Sequence, residues 1–402
     1  MGLIGPAPLI PKILKTMPQF DPGEITLMTM SSFNFFVALS ALFGGVLLDK
    51  LGVIKVFIAG MILVAAGALL MPVCGNSLWG MIFNRGLQGC GTGPIMASAA
   101  PLAAAYFPQK ERSIVTGFQG FSVALGIVAG LLFLPQMAVS LANWQKALMF
   151  IGPLGIVGIV LAITIMFGPK ALEVIVEKTA EEHQTAISHA FKKAIGEPVL
   201  WVAILTYLAM SWVFQAFNDM TPGYIGVPIA EHVGSLGMGT IKGGKYLILA
   251  TILYCIGSIV GGVITDKVFK GNGRPVIATG FLLGAISAFM ILVPFVTSNP
   301  SMLVFFLSCC GFFFSFVNPQ AVGYIAKNYP KEITGKLGGM ATGIAIFGGW
   351  GGATAGGYLI HASGYPGSIH VNVIGFCLVG FIISLFLRPK KTNRRNGLPS
   401  SR

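Results

Sequence analysis

The chain has 402 residues, of which 54% are hydrophobic and only 10% charged, and its formal net charge is +13. Soluble domains carry about a quarter charged residues, so this composition cannot cover a water-facing surface and excludes an ordinary soluble fold. The bilayer is the solvent it suits, and 54 glycines scattered through the apolar runs fit the close packing of membrane helices.

The first stretch, Gly2 to Ile13, is apolar but spans about a dozen residues, where a helical crossing takes about 20. It is either an interfacial or re-entrant segment, or the outer half of a first helix whose beginning is absent from this chain. Eleven full-length apolar segments follow, near 27–48, 54–73, 77–105, 112–135, 146–168, 198–220, 245–265, 275–297, 301–326, 336–360 and 370–388. Residues 169–197 form the longest charged stretch, with Lys178 to His183 and Phe191-Lys-Lys193, and predict an amphipathic cytoplasmic linker. A basic tail closes the chain at 389–402.

The basic residues decide orientation. Of the 26 Lys and Arg, 20 fall on one side if the C-terminal tail is cytoplasmic, among them Lys110, Arg112, Arg274 and Lys331. The opposite loops hold five, namely Lys12, Lys15, Lys146, Lys242 and Lys245, and Arg85 alone lies inside a span. This positive-inside bias accounts for the net charge without any nucleic acid. It also places residues 14–26 outside, which favours a truncated first helix. The expectation is an all-α membrane protein of twelve helices in the inner (plasma) membrane. Its N-terminal bundle would cover 1–168, the linker 169–197 and the C-terminal bundle 198–388, with the tail inside.

An internal repeat marks the two halves. Gly44-Gly-Val-Leu-Leu-Asp-Lys-Leu51 and Gly261-Gly-Val-Ile-Thr-Asp-Lys-Val268 agree at five of eight positions, each after the second helix of its half. Pro108 in Tyr106 to Glu111 and Pro330 in Asn328 to Glu332 make a second echo, after the fourth helices. Glycines let helices approach, an Asp can accept from a neighbouring helix N-terminus, and the lysines can pair with acids or lipid phosphates.

The first copy, Gly45-x-x-x-Asp49-Lys50-x-Gly52-x-x-Lys55, resembles the signature loop between helices 2 and 3 of the major facilitator superfamily. The second keeps Gly262, Asp266 and Lys267 but lacks a glycine at the position of Gly52. The resemblance implies two pseudo-symmetric six-helix bundles with a midplane binding site. It also implies that this loop latches the halves during alternating access.

A charge in a span costs about 2.5–3.5 kcal/mol on insertion scales and points to function. Arg85 lies about 12 Å below the outer start of its helix at 1.5 Å per residue. Its context, Asn84-Arg85-Gly-Leu-Gln88-Gly89, resembles the Arg-x-x-x-Gly element of helix 4 in many family members. The resemblance links that Arg to proton coupling or an anionic substrate. The alternative is a structural Arg bonded to helix carbonyls. Of thirteen acids none is expected near mid-span, and Asp219 comes nearest, at the outer end of helix 7 beside Gln215 and Asn218. Further polar candidates for the cavity are Gln119 and Ser122 on helix 5, Asn318 and Gln320 on helix 10, and Asn34 on helix 2, each also readable as helix–helix glue.

An arginine without a central acid favours a small organic anion, a carboxylate, moved by proton symport or anion exchange. Proton-coupled efflux of drugs or metabolites is the competing reading. The five histidines (His183, His189, His232, His361, His370) share no ligand spacing, the six cysteines sit in or beside apolar runs, and no nucleophile motif occurs. No metal or cofactor is expected, and a membrane enzyme or a receptor without flux is disfavoured. The partners implied are the bilayer, a small molecule and possible coupling protons, for a monomer.

Overall fold

The computed structural model describes residues 1–106, 112–168, 181–229, 233–317, 320, 323–325, 328–329 and 331–387. Among these there is no strand. The chain opens with a 3₁₀ turn, Ala7–Leu9, and a short helix α1, Ile10–Thr16. The long helices are α2 (Ser32–Leu51), α3 (Val53–Leu69), α4 (Leu78–Tyr106), α5 (Arg112–Ser140) and α6 (Ile151–Phe167). After a linker helix, Glu181–Ile195, come α7 (Pro198–Gly226), α8 (Thr240–Val263), α9 (Arg274–Met290) and α10 (Pro300–Phe314). The helical stretch α11, Lys331–Ser368, breaks direction at Gly364 (φ 69°, ψ −177°), a left-handed conformation suited to glycine. A π segment, Ile369–Gly375, leads from there into α12, Phe376–Ser384.

Local chemistry sets several helix starts. Asp21 and Glu24 close a reciprocal capping box ahead of Pro22–Thr26, which continues through a π segment, Leu27–Ser31, into α2. The second crossing therefore begins at Pro22, a turn earlier than its apolar run suggests. Asn299 caps α10 by accepting from Ser301 and Met302. Gly52, with φ 85°, joins α2 to α3, which explains the motif glycine. In the repeat, the π segment Ile264–Val268 takes up extra chain and moves the left-handed residues to Lys270 and Gly271 (φ 50° and 87°). That shift is why no glycine stands at the position equivalent to Gly52.

Among the described residues, six helical stretches are long and apolar enough to cross a membrane. One of them, Lys336–Ser384, holds both α11 and α12, and three apolar helices of 10–17 residues, α3, α9 and α10, add to these. The remaining long helix, α4, carries Asn84, Arg85 and Gln88, so its polar content hides it from an apolarity criterion.

Packing repeats with a period of six helices. α2 lies on α4, α3 on α4 and α3 on α6; in the second half α8 lies on α10, α9 on α10 and α9 on α12. The contacts between halves obey the same rule, with α2 against α11 and α5 against α8. Residues 7–9 touch α5, α7 and α8, so the start of the chain is wedged between the halves, with Ile4, Leu9, Ile10 and Ile13 fully buried.

We name the side of the α2–α3 and α8–α9 connections the basic face and the opposite side the far face. The halves close on each other at the far face. Ser31 and Thr354 hydroxyls are 2.6 Å apart, Asp21 pairs with His361, and Gly23 lies against the Gly357 carbonyl and the His361 amide. A methyl group at Gly226 would stand 3.3 Å from Pro11. Toward the basic face the α2–α11 contact thins among the described residues: a methyl at Gly343 would meet only Leu42 of these, at 3.9 Å, and one at Gly338 or Gly339 would meet none of them.

Candidate functional site

Among the described residues two charged side chains are fully buried between the halves, Arg85 on α4 (1% exposed) and Asp219 on α7 (0%). Arg85 Nε donates to the Thr29 carbonyl at 2.8 Å. Its Nη1 donates to the Gly2 carbonyl at 2.9 Å and to Gln88 Oε1 at 2.6 Å. The guanidinium lies 4.2 Å from the Phe33 ring centre, a cation–π contact. These partners fix its plane, yet Nη2 has no partner. Gln88 Nε2 and both amide atoms of Asn84 are likewise buried and unpaired.

Leaving a buried donor unpaired costs about 1–3 kcal/mol, so a cluster of them in a membrane protein calls for a physical reason. A planar guanidinium with one NH₂ unspent, beside a carboxamide NH₂ also unspent, is a donor set matched to an oxyanion.

Asp219 accepts from Gln215 Nε2 at 2.8 and 2.9 Å. Each charge is thus bonded to an amide of its own helix, Arg85 to Gln88 and Asp219 to Gln215, while the two act on each other electrostatically. The expectation that Asp219 marks the outer end of helix 7 needs correction. α7 continues to Gly226, placing Asp219 seven residues, about 10 Å, inside its end. Pro222 and the glycines of Thr221 to Gly226 ended the apolar run early. Burial between the halves holds that segment helical, with Thr221 through Gly226 all buried.

The other expected site residues separate. Asn218 is 5% exposed and spends its amide on the Phe214 carbonyl at 2.8 Å, and Asn34 does the same with Met30 at 2.9 Å. Gln320 lines a cavity of about 30 Å³ with Arg274 and Tyr324 at the basic face, distant along the fold from Arg85. Ser122 is exposed, and the side chains of Gln119 and Asn318 lie outside the described residues. In the motif, Lys50, Gly52, Lys55, Asp266 and Lys267 are exposed at the basic face, Gly262 is half-buried and Gly45 lies within α2, whereas the Asp49 side chain and Pro108 lie outside the described residues. Pro330 does as well.

Sequence alone missed Phe33 and the carbonyls of Thr29 and Gly2 as partners of Arg85. It also missed Asn372 on the approach to α12. This residue is 1% exposed, donates to the Gly352 carbonyl at 2.8 Å and accepts from Trp212 Nε1 at 2.5 Å. Its only signal was one amide in an otherwise apolar run. Among the described residues no three His, Cys, Asp or Glu side chains come together as metal ligands would.

Two helical halves that repeat each other's packing, with long apolar helices in both, describe a multi-pass helical membrane protein. The family model for the Major Facilitator Superfamily matches residues 1–272 and 228–402, and the chain belongs to that family. It is a transporter and not an enzyme. The solved structure of a D-xylose–proton symporter superimposes with a TM-score of 0.73 over 96% of this chain and 92% of that one, at 15% identity, a likeness of fold. A probable anion transporter 6 of Arabidopsis thaliana is 30% identical, over 49% of this chain and 40% of its own length. A probable sulfoacetate transporter of Cupriavidus necator is 22% identical over 91% of this chain and 85% of its own. A sialic acid transporter of Escherichia coli is 25% identical over 85% and 80%.

Proposed function

We propose that the protein carries a small organic anion, a carboxylate or sulfonate, across the inner membrane by alternating access, in symport with a proton. The observation that carries this reading is the unspent NH₂ of Arg85 beside that of Gln88, an oxyanion donor set buried between the halves. Several relatives are named for transport of organic acids: sulfoacetate, sialic acid and galactarate or D-glucarate. In this account the basic face is cytoplasmic, the two bundles cover 1–168 and 198–388, and the protein works as a monomer.

Charge balance supplies the coupling. With Arg85 cationic and Asp219 anionic the buried site is neutral. An added monoanion leaves one net negative charge in a medium where an uncompensated charge costs several kcal/mol. A proton taken up on Asp219 restores neutrality, so one proton accompanies one negative charge. Gln215 would hold the Asp219 carboxylate in place through both states.

Proteoliposomes given labelled D-glucarate, sulfoacetate and a monocarboxylate test this. Uptake is expected to accelerate with an inward proton gradient, and Asp219→Asn is expected to remove that acceleration. Extrusion of a cationic dye with no uptake of any acid would overturn the reading. That outcome would favour proton-coupled efflux, for which an embedded carboxylate such as Asp219 is the specific observation.

A further inference from the structure

Lysines are scarce on the far face, yet four of the five assigned there from sequence converge. Lys12 and Lys15 on α1, and Lys242 and Lys245 on the first turns of α8, line one cavity of about 750 Å³. These pairs lie some 230 residues apart in sequence and come from opposite halves, so their meeting is a product of the fold. The rest of the described lining is uncharged, mostly apolar or glycine with the hydroxyls of Thr240 and Tyr246, and no described carboxylate borders it. Asp21 and Glu24 line the neighbouring cavity of about 590 Å³, which shares only Pro11, Lys15 and Pro228 with this one. A cavity of roughly 300–1,000 Å³ with apolar walls and a few convergent polar groups is the usual form of a small-ligand site.

The cavity also has a defined relation to the buried charges. Pro11 and Gly226 line it, and Gly226 ends the helix that carries Asp219. The segment that bears Lys12 and Lys15 begins at the Gly2 carbonyl, which Arg85 holds. One short stretch of chain thus touches the buried arginine at one end and lines the lysine cavity at the other.

We infer that this cavity is a far-face recruitment site for the anionic solute, in which Lys12, Lys15, Lys242 and Lys245 hold it before it reaches Arg85; the inference rests on the anion reading above. Like charges lining a low-dielectric cleft raise the local concentration of the opposite ion, while the apolar wall accepts the carbon skeleton. When the far face opens, α1 must move relative to α7 and α8, and that movement exposes the path from the lysines to Arg85.

The test is uptake of labelled D-glucarate by the full chain, comparing the parent with the fourfold Lys12, Lys15, Lys242 and Lys245→Gln variant and its fourfold Lys→Arg counterpart. In neutral-lipid vesicles at about 0.01 M salt, where the screening length is about 30 Å, the Gln variant is expected to raise KM roughly three- to tenfold with kcat unchanged. The Arg variant should restore the parent KM. At about 1 M salt, where that length is about 3 Å, the difference should vanish. Equal KM values at low salt in parent and Gln variant would overturn the inference and leave the anion reading intact. A rise that persists at high salt would overturn it in favour of lost packing. A difference confined to vesicles with anionic lipid would overturn it in favour of a lipid headgroup. If the parent takes up no acid, the anion reading falls, and this inference falls with it.

Discussion

Arg85 is held by two backbone carbonyls, a glutamine and a phenyl ring, and only the glutamine and the charge itself are written in the sequence pattern. A lone cation in an apolar run is conspicuous, so its importance was legible. The carbonyls of Gly2 and Thr29 carry no residue-type signal and could not be anticipated. Arg85→Lys keeps the charge but cannot reproduce the fork. Hydrogen bonds to charged groups contribute about 1.5–3 kcal/mol each, so kcat/KM for the transported acid should fall roughly tenfold or more while the protein remains folded. Uptake by Arg85→Lys at the parent level would remove the assigned role. At the far face His361, 61% exposed on α11 three residues before the break at Gly364, pairs with Asp21 of the other half. Its hydrogen bond to Asp21, and then that carboxylate's charge, raise its pKa above the ordinary histidine value. The pair therefore favours the closed far face below the ordinary value and loses that effect as pH rises through the raised one. Spin-label distances across the far face should lengthen with rising pH in the parent, and this pH response should be absent in His361→Gln.

Among the elements, helix existence was plain from apolar runs, whereas ends and irregularities were not. The early start of the second crossing depends on a capping box, the late end of α7 on burial around Pro222, and the turn after α8 on a π segment. Each is decided by tertiary contact or by a single local bond, which hydropathy does not register. Close approach at glycines can be tested where it supports the site. A methyl at Gly89 would stand 2.6 Å from the Phe33 carbonyl oxygen and 2.8 Å from the Phe36 side chain. Gly89→Ala must therefore push α4 from α2 and move Phe33 off Arg85. Overpacking of this kind costs about 1–3 kcal/mol. A lowered Tm together with a raised KM is expected, and an unchanged Tm would show that the crossing yields without cost.

At the scale of the molecule, a repeat five residues deep foretold two halves, and the α2–α4, α3–α4 and α3–α6 contacts of the first recur six helices on in the second. Which face the halves close was not legible, because both faces use glycine and short polar residues alike. The far-face contact between Ser31 and Thr354 gives it a handle. In a background lacking the six native cysteines, Ser31→Cys with Thr354→Cys should cross-link under oxidation and arrest uptake, with recovery on reduction. Continued uptake by the cross-linked protein would mean that this contact does not open during transport.

The central claim is that a buried arginine, with donors unspent, binds an organic anion. Ligand that binds only the native state raises stability, by about 2.7 kcal/mol at a hundredfold excess over Kd. The direct measurement is the thermal unfolding of purified protein titrated with D-glucarate and sulfoacetate, for the parent, Arg85→Lys and Arg85→Ala. The account predicts a Tm that climbs with acid concentration in the parent, climbs less in Arg85→Lys and stays flat in Arg85→Ala. An Arg85→Ala protein stabilised as strongly as the parent would contradict it.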